Sequence, residues 1–545
     1  MSLEHLIPVL AGTLSHIFYF RRGEHHLSGL LYLNALALIT SASVVYLVYK
    51  HGSNVHDASF QVFCPAASYL FGLYTSLLVY RVFLHPLCKF PGPAAYRASS
   101  FCLSAQLGKK RDAFRHFNHL HKIYGPFVRV GPSELSIAHP AAVNAIYGAA
   151  SKCTKAAWYD LNKPVISLHT MRERASHHAR RRVWSAAFSE RGLRMYEQRI
   201  RVHRRKLIDY LCAVNGKPVD VTKWFGLYSF DVMGDLAFGK GLSMLDKRDS
   251  EEHLVVQSLQ EGLAALSFMP SVWALRLLAG IPWLARDRWR FLDFCTRQLQ
   301  QRLQTDQSIP DIASAMLAPL NGRSPTKHEL NLLSGESQLI VVAGSDTVAT
   351  TLASILYELV RHPSHIEKLR QELAPCTLDT NSGEYAYEYK NDKIASLPHL
   401  NGIINEALRL HPPIPTALQR KTPPEGIEIG GTCIPGNMTV WCPQYVLGRD
   451  ENTYSNPEAF IPERWYQSPH LIKDRDAFAP FSIGPYGCIG KSLALLNIRT
   501  MIAQLVMTFD ISFGPGEDGG RFEGETTEQF TVQKGGLDLV FRGRG

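Results

Sequence analysis

A single cysteine in a glycine-rich stretch near the C-terminus, residues 481–490 (FSIGPYGCIG), constrains this chain more than any other feature. Glycine and proline around Cys488 predict a tight loop whose backbone approaches its neighbours closely. The apolar run over residues 491–496 predicts a helix that begins directly after the loop. Unpaired N–H groups and the positive dipole end at a helix start favour thiolate over thiol. The stretch therefore predicts a site that presents one thiolate to a metal.

A second stretch, residues 339–360, predicts a long apolar helix that carries the sequence AGSDT at 343–347. Gly344 has no side chain, so we expect room beside it for a small ligand such as dioxygen. The carboxyl of Asp346 and the hydroxyl of Thr347 can form hydrogen bonds there and relay protons. The alternative is that the glycine serves only helix packing and that the Thr347 hydroxyl is bonded within its own helix.

Both stretches resemble motifs of the cytochrome P450 family. The cysteine loop matches the family pattern Phe-x-x-Gly-x-Arg-x-Cys-x-Gly at every fixed position but one, namely at Phe481, Gly484, Cys488 and Gly490. Tyr486 stands where that pattern has arginine. The second stretch matches the family's Ala/Gly-Gly-x-Asp/Glu-Thr motif. The resemblance covers roughly residues 85–545 and is greatest to the fungal microsomal members. It implies a mainly α fold with a small β region, preceded by N-terminal transmembrane helices.

The resemblance also implies a cofactor, haem b, with Cys488 as the axial ligand of its iron. Asp346 and Thr347 would deliver the protons needed for O–O bond cleavage. His177 and Arg181 lie four residues apart, on one helix face. They resemble the family's Trp-x-x-x-Arg stretch, which holds a haem propionate, with histidine in place of tryptophan. Arg420 matches another propionate-binding position.

Further arginines are assigned to structure or to the surface. Glu406 and Arg409 lie three apart in an apolar helical pattern, where a buried ion pair needs additional partners. Arg464 in the segment PERW at 462–465 is a candidate partner, and the resemblance implies that the set stabilises the fold. We expect Arg180 and Arg182 on a solvated basic face, which could dock an acidic redox partner.

Three apolar segments, 6–20, 27–48 and 63–80, follow one another in the first ninety residues. The second is long enough to span a bilayer and contains no charge, and the third is nearly as clear. The first is shorter and contains His16, so a span, an interfacial segment and a signal remain open. We therefore expect a membrane anchor with two or three transmembrane helices over residues 1–88.

Basic residues indicate the orientation of this anchor. Arg21 and Arg22 follow the first apolar segment and others follow the third, whereas the loop between the second and third has a single Lys or Arg. The positive-inside rule then places Arg21, Arg22 and the chain after residue 89 in the cytosol. Residues 89–94 predict a stiff proline-rich hinge, followed by one catalytic domain over 95–545. The resemblance implies a multi-pass protein of the endoplasmic reticulum.

The net charge of +10 suits an anionic membrane surface, an acidic protein partner or nucleic acid. Nucleic acid is not expected, since neither zinc-finger spacing nor an RNA-binding aromatic motif is present. Ten scattered cysteines without a Cys-x-x-Cys pair indicate reduced thiols in a cytosol-facing domain. The resemblance implies NADPH–cytochrome P450 reductase as electron donor, with cytochrome b5 as a further candidate.

The resemblance implies a haem-thiolate monooxygenase that inserts one oxygen atom from dioxygen into a hydrophobic small molecule, in fungal secondary-metabolite biosynthesis. The candidate pocket segments are mainly apolar: 158–169, 263–284, 339–344, 415–418 and the tip near Val532. Two alternatives stay open. A haem-thiolate isomerase or dehydratase uses no dioxygen and can dispense with an Asp-Thr pair. A non-enzymatic membrane protein would contain no haem, which an absorbance spectrum reveals.

The tail, 530–541, predicts a β-hairpin that turns at residues 534–536.

Overall fold

The computed structural model describes residues 3–246, 261–283, 285–304, 311–377, 387–416 and 418–544. By length and apolar composition, the described helices that could cross a membrane are Gly29–His51, Val55–Leu84 and Lys327–Arg361. The first two are 6% buried along their most apolar window, whereas the third is 67% buried inside the protein. The third is therefore a core helix, and we call it the central helix.

The N-terminal helix, Leu3–Ser15, continues as a π-helical turn to Phe20 and packs along Val55–Val79. Glycines permit this close crossing. A Cβ on Gly12 would lie 2.0 Å from the Tyr69 carbonyl oxygen, and one on Gly72 would lie 2.0 Å from that of Val9. Small residues let helix backbones approach in this way in membranes. The first apolar segment is thus a helix that packs against a membrane-length neighbour.

The loop between the first two helices contacts the rest of the protein. Glu24 accepts hydrogen bonds from both terminal nitrogens of Arg172, at 2.8 and 2.9 Å, and from Lys421 at 2.9 Å. His26 Nε2 lies 2.9 Å from the Asp160 carboxylate. Residues 21–28 are therefore on the same side of the anchor as the globular part of the chain.

The proline-rich segment after the anchor is also held against the globular part. The Arg129 N–H donates to the Pro91 carbonyl at 2.7 Å. Gly92 has a φ of 153°, and a Cβ there would lie 2.1 Å from the Arg129 carbonyl oxygen. Only glycine therefore permits the approach of this segment to its neighbouring strand.

Helices dominate the globular part, as the sequence predicts. Their bounds are Ala94–Ala98, Ser100–Leu107, Ala113–Tyr124, Pro140–Tyr147, Arg174–Ala187, Glu190–Val214, Val221–Phe238, Val272–Ala279, Arg286–Gln304, Ile312–Leu317, Lys327–Arg361, Pro363–Leu373, Asn391–Ile394, Pro398–Leu410, Gln444–Leu447, Lys491–Thr508 and Gly520–Gly524. The central helix begins with a capping box, in which Thr326 and Glu329 satisfy each other's backbone N–H groups. It packs against Val221–Phe238, Pro398–Leu410 and Lys491–Thr508 around the main core.

The strands are short and form the small β region. They are β1 Phe127–Arg129, β2 Glu134–Ile137, β3 Thr154–Lys155, β4 Pro218–Asp220, β5 Arg420–Lys421, β6 Ile427–Ile429, β7 Thr432–Ile434, β8 Thr439–Trp441, β9 Phe509–Phe513, β10 Thr527–Gln529, β11 Thr531–Gln533 and β12 Asp538–Gly543. The largest sheet has the order β1-β2-β8-β5-β3, in which β2 and β8 are parallel and the other pairs antiparallel. A second sheet has the order β4-β12-β9.

The tail hairpin predicted over 530–541 is wrong in its pairing. β11 pairs with β10 across Phe530, while β12 pairs with β4 and β9. The Lys-Gly-Gly sequence links two strands of different sheets. The apolar face of β12 is buried between distant segments, which favours its place in the second sheet over local pairing.

Candidate active site

The cysteine loop is closed by its own backbone. The Cys488 N–H donates to the Phe481 carbonyl at 2.8 Å, and the Gly487 N–H donates to that of Gly484 at 3.0 Å. Gly484 has a φ of 65°, and a Cβ there would lie 2.3 Å from the Tyr147 carbonyl oxygen. The turn and the close approach both require glycine. Helix Lys491–Thr508 begins directly after Gly490, as predicted.

The Cys488 side chain is solvent-accessible although protein surrounds it. Burial raises the pKa of this thiol, whereas the N–H groups of Gly490 and Lys491 and the charge of Arg181 oppose that shift. The groups that oppose it are those that favour a thiolate. The Cys488 side chain is therefore accessible and has anion-stabilising groups beside it.

Helix Arg174–Ala187 places two of the predicted residues beside the loop. Arg181 donates to the Gly487 carbonyl at 2.7 Å, and the buried His177 ring packs edge-on against the Tyr486 ring at 4.6 Å between centroids. The expectation of a solvated Arg180 is wrong, because this guanidinium pairs with the buried Glu336. Arg182 is exposed, as expected.

Two cations face each other on the edge of the largest sheet. Lys155 of β3 lies directly opposite Arg420 of β5, and both side chains are buried. Lys155 donates to the carbonyls of Leu168 and His169 at 2.9 and 2.7 Å, and Arg420 donates to the Tyr159 hydroxyl at 2.9 Å. Among the described residues, no carboxylate accepts from either cation. Like charges opposite each other destabilise a sheet, so the pair favours binding of an anion.

The electrostatics of this pair support that conclusion. Burial lowers the pKa of Lys155 well below its ordinary value, and the charges of Arg420 and Arg181 lower it further. Burial likewise lowers the pKa of His177 to about 3, so this imidazole adds no charge at neutral pH. A bound anion would raise the pKa of Lys155 again and favour its charged form. Sequence reasoning missed Lys155, since only the register of β3 on β5 brings it opposite Arg420.

Tyr486 lies between these cations. The Lys155 Nζ is 4.9 Å and the Arg420 Cζ 5.1 Å from the centroid of its ring. Its hydroxyl oxygen is buried and has no hydrogen-bond partner in the described part of the chain, and the same holds for Arg420 Nε. An arginine at position 486 would add a third cation beside this pair. Tyrosine instead provides a neutral donor and a ring face that attracts both cations.

The central helix carries the AGSDT sequence, but the expectation for Gly344 is wrong. The Met233 side chain lies against this glycine, and a Cβ there would approach its Cε to 2.4 Å. The open face is one residue earlier: Ala343 is exposed within the helix, and Thr347 follows four residues later on the same face. The Thr347 hydroxyl donates to the Ala343 carbonyl at 2.8 Å and retains acceptor capacity.

Asp346 is directed away from that open face, towards β11. Its carboxyl is buried, and its Oδ2 atom has no hydrogen-bond partner among described residues. Burial raises the pKa of this carboxyl to about 7, an effect that the Thr531 hydroxyl opposes. Thr350 ties the same helix to β11 by donating to the Val532 carbonyl at 3.1 Å. Asp346 is therefore a group that exchanges a proton near neutral pH.

The predicted structural network around Glu406 is confirmed. Arg409 donates to both carboxylate oxygens at 2.9 and 2.7 Å, and Arg464 donates to one of them at 2.8 Å. The Trp465 indole donates to the other at 2.9 Å. All three charged side chains are completely buried. Their remaining donors reach backbone carbonyls, including that of Gly448, so the buried charges are satisfied.

Aromatic side chains line the predicted pocket segments. Trp158 stacks on Phe530 with centroids 5.1 Å apart and an interplanar angle of 18°, and the His169 ring lies 5.4 Å from Phe530. Phe530 has a φ of 79°, which is rare for a residue with a side chain. Trp158 and Phe530 line one small cavity together with Leu266. Residues 284 and 417 of the predicted segments lie outside the described residues.

Comparison with known proteins decides the family. Residues 91–541 match the family described as cytochrome P450. The chain belongs to the cytochrome P450 family. This P450 is 48% identical over 545 residues to cytochrome P450 monooxygenase notG' of Aspergillus versicolor, with 100% of this chain and 99% of that protein covered. It is 48% identical over 529 residues to tryprostatin B 6-hydroxylase of Aspergillus fumigatus, with 96% and 93% covered.

A solved structure shows the same fold. The heme domain of cytochrome P450DA superposes with a TM-score of 0.65 at 19% identity, over 79% of this chain and 93% of that one. The predicted fold class is thus confirmed: a mostly helical P450 fold with small sheets, preceded by apolar helices. The predicted enzyme class is confirmed as well. This P450 is a haem-thiolate monooxygenase related to fungal enzymes of secondary metabolism.

The residues present fit haem. P450s bind its iron through a cysteine thiolate, and the Cys488 side chain is accessible. Haem also carries two propionates, and the buried cations Lys155 and Arg420 have no carboxylate partner in the described chain. The hydroxyl of Tyr486, which has no hydrogen-bond partner in the part of the chain that the structure describes, lies beside them. The chain therefore offers a ligand for the iron and a separate anion site close to it.

Proposed function

We propose that Cys488 ligates the haem iron of this P450 and that Thr347 and Asp346 control the delivery of protons to the reaction. When bound, thiolate-ligated haem supplies activation of dioxygen for insertion of one oxygen atom. The observation that carries the assignment is the Lys155–Arg420 pair: two opposed, buried cations next to the cysteine loop, without a carboxylate partner among the described residues.

In this assignment the propionates bind Lys155, Arg420 and the Tyr486 hydroxyl. These groups are an ammonium, a guanidinium and a neutral phenol, and both cationic groups lie close to the Tyr486 ring, at 4.9 and 5.1 Å from its centroid. Arg181 adds positive charge, but its main hydrogen bond holds the Gly487 carbonyl and thereby the loop. His177 supports Tyr486 by ring packing. Phe481, Gly484 and Gly490 shape the loop around the sulfur.

Thr347 and Asp346 have different roles in the delivery of protons. Thr347 lies on the open face of the central helix, where its hydroxyl can accept one hydrogen bond while donating to Ala343. Asp346 lies on the adjacent face, where its Oδ2 atom has no hydrogen-bond partner among the described residues. Since burial raises the pKa of Asp346 to about 7, it can both take up and release a proton at neutral pH. Thr347 would orient a proton-donating group at the open face by accepting its hydrogen bond, and Asp346, which is directed towards β11, would exchange protons behind that face.

For the membrane topology we propose three spans in the endoplasmic reticulum membrane, with the catalytic part on its cytosolic side. The loop over residues 21–28 contacts the globular part through Glu24 and His26, which agrees with the positive-inside orientation. Helix Val272–Ala279 contacts the second apolar helix, and Trp283 beyond it is 77% exposed. These apolar groups suit insertion into the same membrane surface. We propose that the anchor comprises residues 1–88, the hinge 89–94 and the catalytic domain 95–545.

For the electron supply we propose NADPH–cytochrome P450 reductase, with cytochrome b5 as a second donor. The net charge of +10 and exposed arginines such as Arg182 favour an acidic partner.

For the substrate we propose a hydrophobic natural product with a flat ring, which this P450 hydroxylates. Trp158 and Phe530 form an aromatic wall for such a ring, and the relatives include tryprostatin B 6-hydroxylases.

The test is turnover by microsomal protein with reductase and NADPH under isotopically labelled dioxygen, with tryprostatin B and related ring compounds as probes. We expect a product that contains one labelled oxygen atom per turnover. A product that forms without label, or that forms equally without dioxygen, would favour the isomerase or dehydratase alternative and contradict the monooxygenase assignment.

A further inference from the structure

Three side chains that can bind a metal meet on the side of the Glu406 network that faces helix Pro363–Leu373. His365 comes from that helix, His399 from helix Pro398–Leu410, and Glu463 from the 3-10 turn at 462–465. One donor atom from each lies within 4.8 Å of the other two. We propose that His365, His399 and Glu463 bind one divalent transition-metal ion, with Zn²⁺ as the preferred ion.

The pair His365–Glu463 is close to metal-binding geometry. His365 Nδ1 lies 3.6 Å from Glu463 Oε1. Zn²⁺ bonds of about 2.0–2.2 Å to nitrogen and oxygen in a tetrahedron require donor separations of roughly 3.3–3.5 Å. His365 is 9% exposed, and its Nδ1 atom has no hydrogen-bond partner among the described residues. Buried polar atoms are nearly always paired, so this nitrogen needs a partner, which a metal ion provides.

The tautomer of His399 suits a metal ligand. Its Nε2 atom lies 3.3 Å from the His365 carbonyl oxygen and its Nδ1 atom 3.0 Å from the Tyr466 hydroxyl. A carbonyl only accepts, so Nε2 carries the proton and Nδ1 offers its lone pair. Metal-binding histidines commonly donate their second N–H to a carbonyl in this way. Tyr466 is 37% exposed and can turn away to release Nδ1.

The protonation states at neutral pH also suit a metal. Burial lowers the pKa of His365 to about 4 and lowers that of His399, so both imidazoles are neutral. Burial acts to raise the pKa of Glu463, but the Lys368 hydrogen bond and nearby charges lower it overall, so the carboxylate is ionised. Two neutral imidazoles and one carboxylate form a Zn²⁺ donor set with a fourth position for water. Imidazole nitrogen selects against Mg²⁺ and Ca²⁺.

Lys368 is the competitor for this site. Its Nζ atom lies 2.7 Å from Glu463 Oε1, the same oxygen that faces His365. The Lys368 side chain is 54% exposed, so the ammonium can move into solvent when an ion arrives. The opening that it leaves is the entry path. Metal binding would then join three segments next to Arg464, which holds Glu406 in the buried network.

The second cluster of potential ligands differs in this respect. Glu24, His26 and Asp160 also lie close together, but cations already neutralise both carboxylates. Arg172 bonds to Glu24 and Asp160, Lys421 to Glu24 and Lys163 to Asp160. A metal ion there would have to displace several charged partners, whereas at the His365–His399–Glu463 site it displaces one charged partner, Lys368, and the uncharged Tyr466 hydroxyl.

The experiment measures Zn²⁺ binding to chelator-treated, full-length, haem-loaded protein in detergent. Equilibrium dialysis against Zn²⁺ and elemental analysis give stoichiometry and affinity for wild type, His365→Leu, Lys368→Met and His362→Leu. His362 serves as the matched control, because it lies three residues before His365 and bonds to the Glu358 carbonyl at 2.9 Å. An unchanged haem spectrum verifies that each variant is folded.

We expect one Zn²⁺ per wild-type chain that His365→Leu loses or binds about 100-fold more weakly, while His362→Leu is unchanged. We expect Lys368→Met to bind Zn²⁺ more tightly by up to about 5-fold, because a partly exposed ion pair no longer competes for the carboxylate. The proposal is overturned if wild type binds no Zn²⁺, or if His365→Leu binds it as wild type does. Should His365→Leu not fold, a Lys368→Met affinity equal to or below that of wild type overturns it.

Discussion

Replacement of Tyr486 by phenylalanine isolates one hydrogen bond of the proposed haem site. Phenylalanine keeps the ring that packs on His177 at 4.6 Å and faces the Lys155 Nζ at 4.9 Å. It removes only the hydroxyl, which is buried and has no protein partner in the described chain. We therefore expect the Tyr486→Phe protein to fold normally and to hold haem less tightly.

The magnitude follows from the nature of that bond. A hydrogen bond to a charged group contributes about 1.5–3 kcal/mol, and each 1.4 kcal/mol is tenfold in affinity. Loss of one bond to a propionate should therefore weaken haem binding roughly 10- to 140-fold. Most affinity differences between related complexes appear in the dissociation rate. Transfer of haem to excess apomyoglobin measures that rate directly.

Tyr147→Phe is the matched control. The Tyr147 ring lies 5.2 Å from the Arg420 Cζ, but its hydroxyl already accepts from the Cys442 N–H at 3.0 Å. We expect this variant to release haem at about the wild-type rate. The reasoning is refuted if Tyr486→Phe also releases haem at the wild-type rate, or if both variants accelerate release equally, since the effect would then be general loss of stability.

Three further predictions concern the proton path, the buried network and the anchor. Thr347→Ala should increase hydrogen peroxide release relative to product. Thr351→Ala should not, because the Thr351 hydroxyl donates only to the Thr347 carbonyl, at 2.7 Å. An equal ratio of peroxide to product in the two variants contradicts the role of Thr347. Glu406→Gln should lower the free energy of unfolding by about 3–5 kcal/mol, because it leaves two buried arginines without a counter-charge. Glu190→Gln, in an exposed pair, should lower it by less than about 1 kcal/mol. Denaturant unfolding measures both changes, and equal losses would contradict the role of the buried network. Glu24→Gln should lower the unfolding temperature at pH 7. The Arg172 hydrogen bonds lower the pKa of Glu24 from 4.5 to about 2, so its stabilisation is present in full above pH 4.5 and is lost as the pH falls through about 2. A difference at pH 2 as large as that at pH 7 contradicts the ion pairs.

The sequence was sufficient to predict those features whose residues are neighbours in the chain. The cysteine loop and the following helix depend on glycines, a proline and an apolar run that are neighbours in the chain. The apolar segments of the anchor were equally clear, because length and composition determine them. The ion network at Glu406 could be predicted because two of its members lie three apart on one helix.

The failures arose from contacts between distant segments. Met233 occupies the space beside Gly344, and nothing in the spacing of residues 343–347 indicates it. The role of Lys155 was not predicted, because only the pairing of the two-residue strand β3 with β5 brings it opposite Arg420. The tail hairpin failed because β12 pairs with β4 and β9. In each case the partner is many residues away, and local patterns carry no information about register between distant strands.

The central claim is that Cys488 presents a thiolate to haem iron, and the carbon monoxide difference spectrum of the reduced protein tests it most directly. Microsomal wild-type protein should show the strongly red-shifted Soret band of thiolate-ligated haem, and Cys488→Ser should lose that band while the protein remains folded. A band at the position typical of histidine-ligated haem in wild type, or a red-shifted band that survives in Cys488→Ser, would contradict the account.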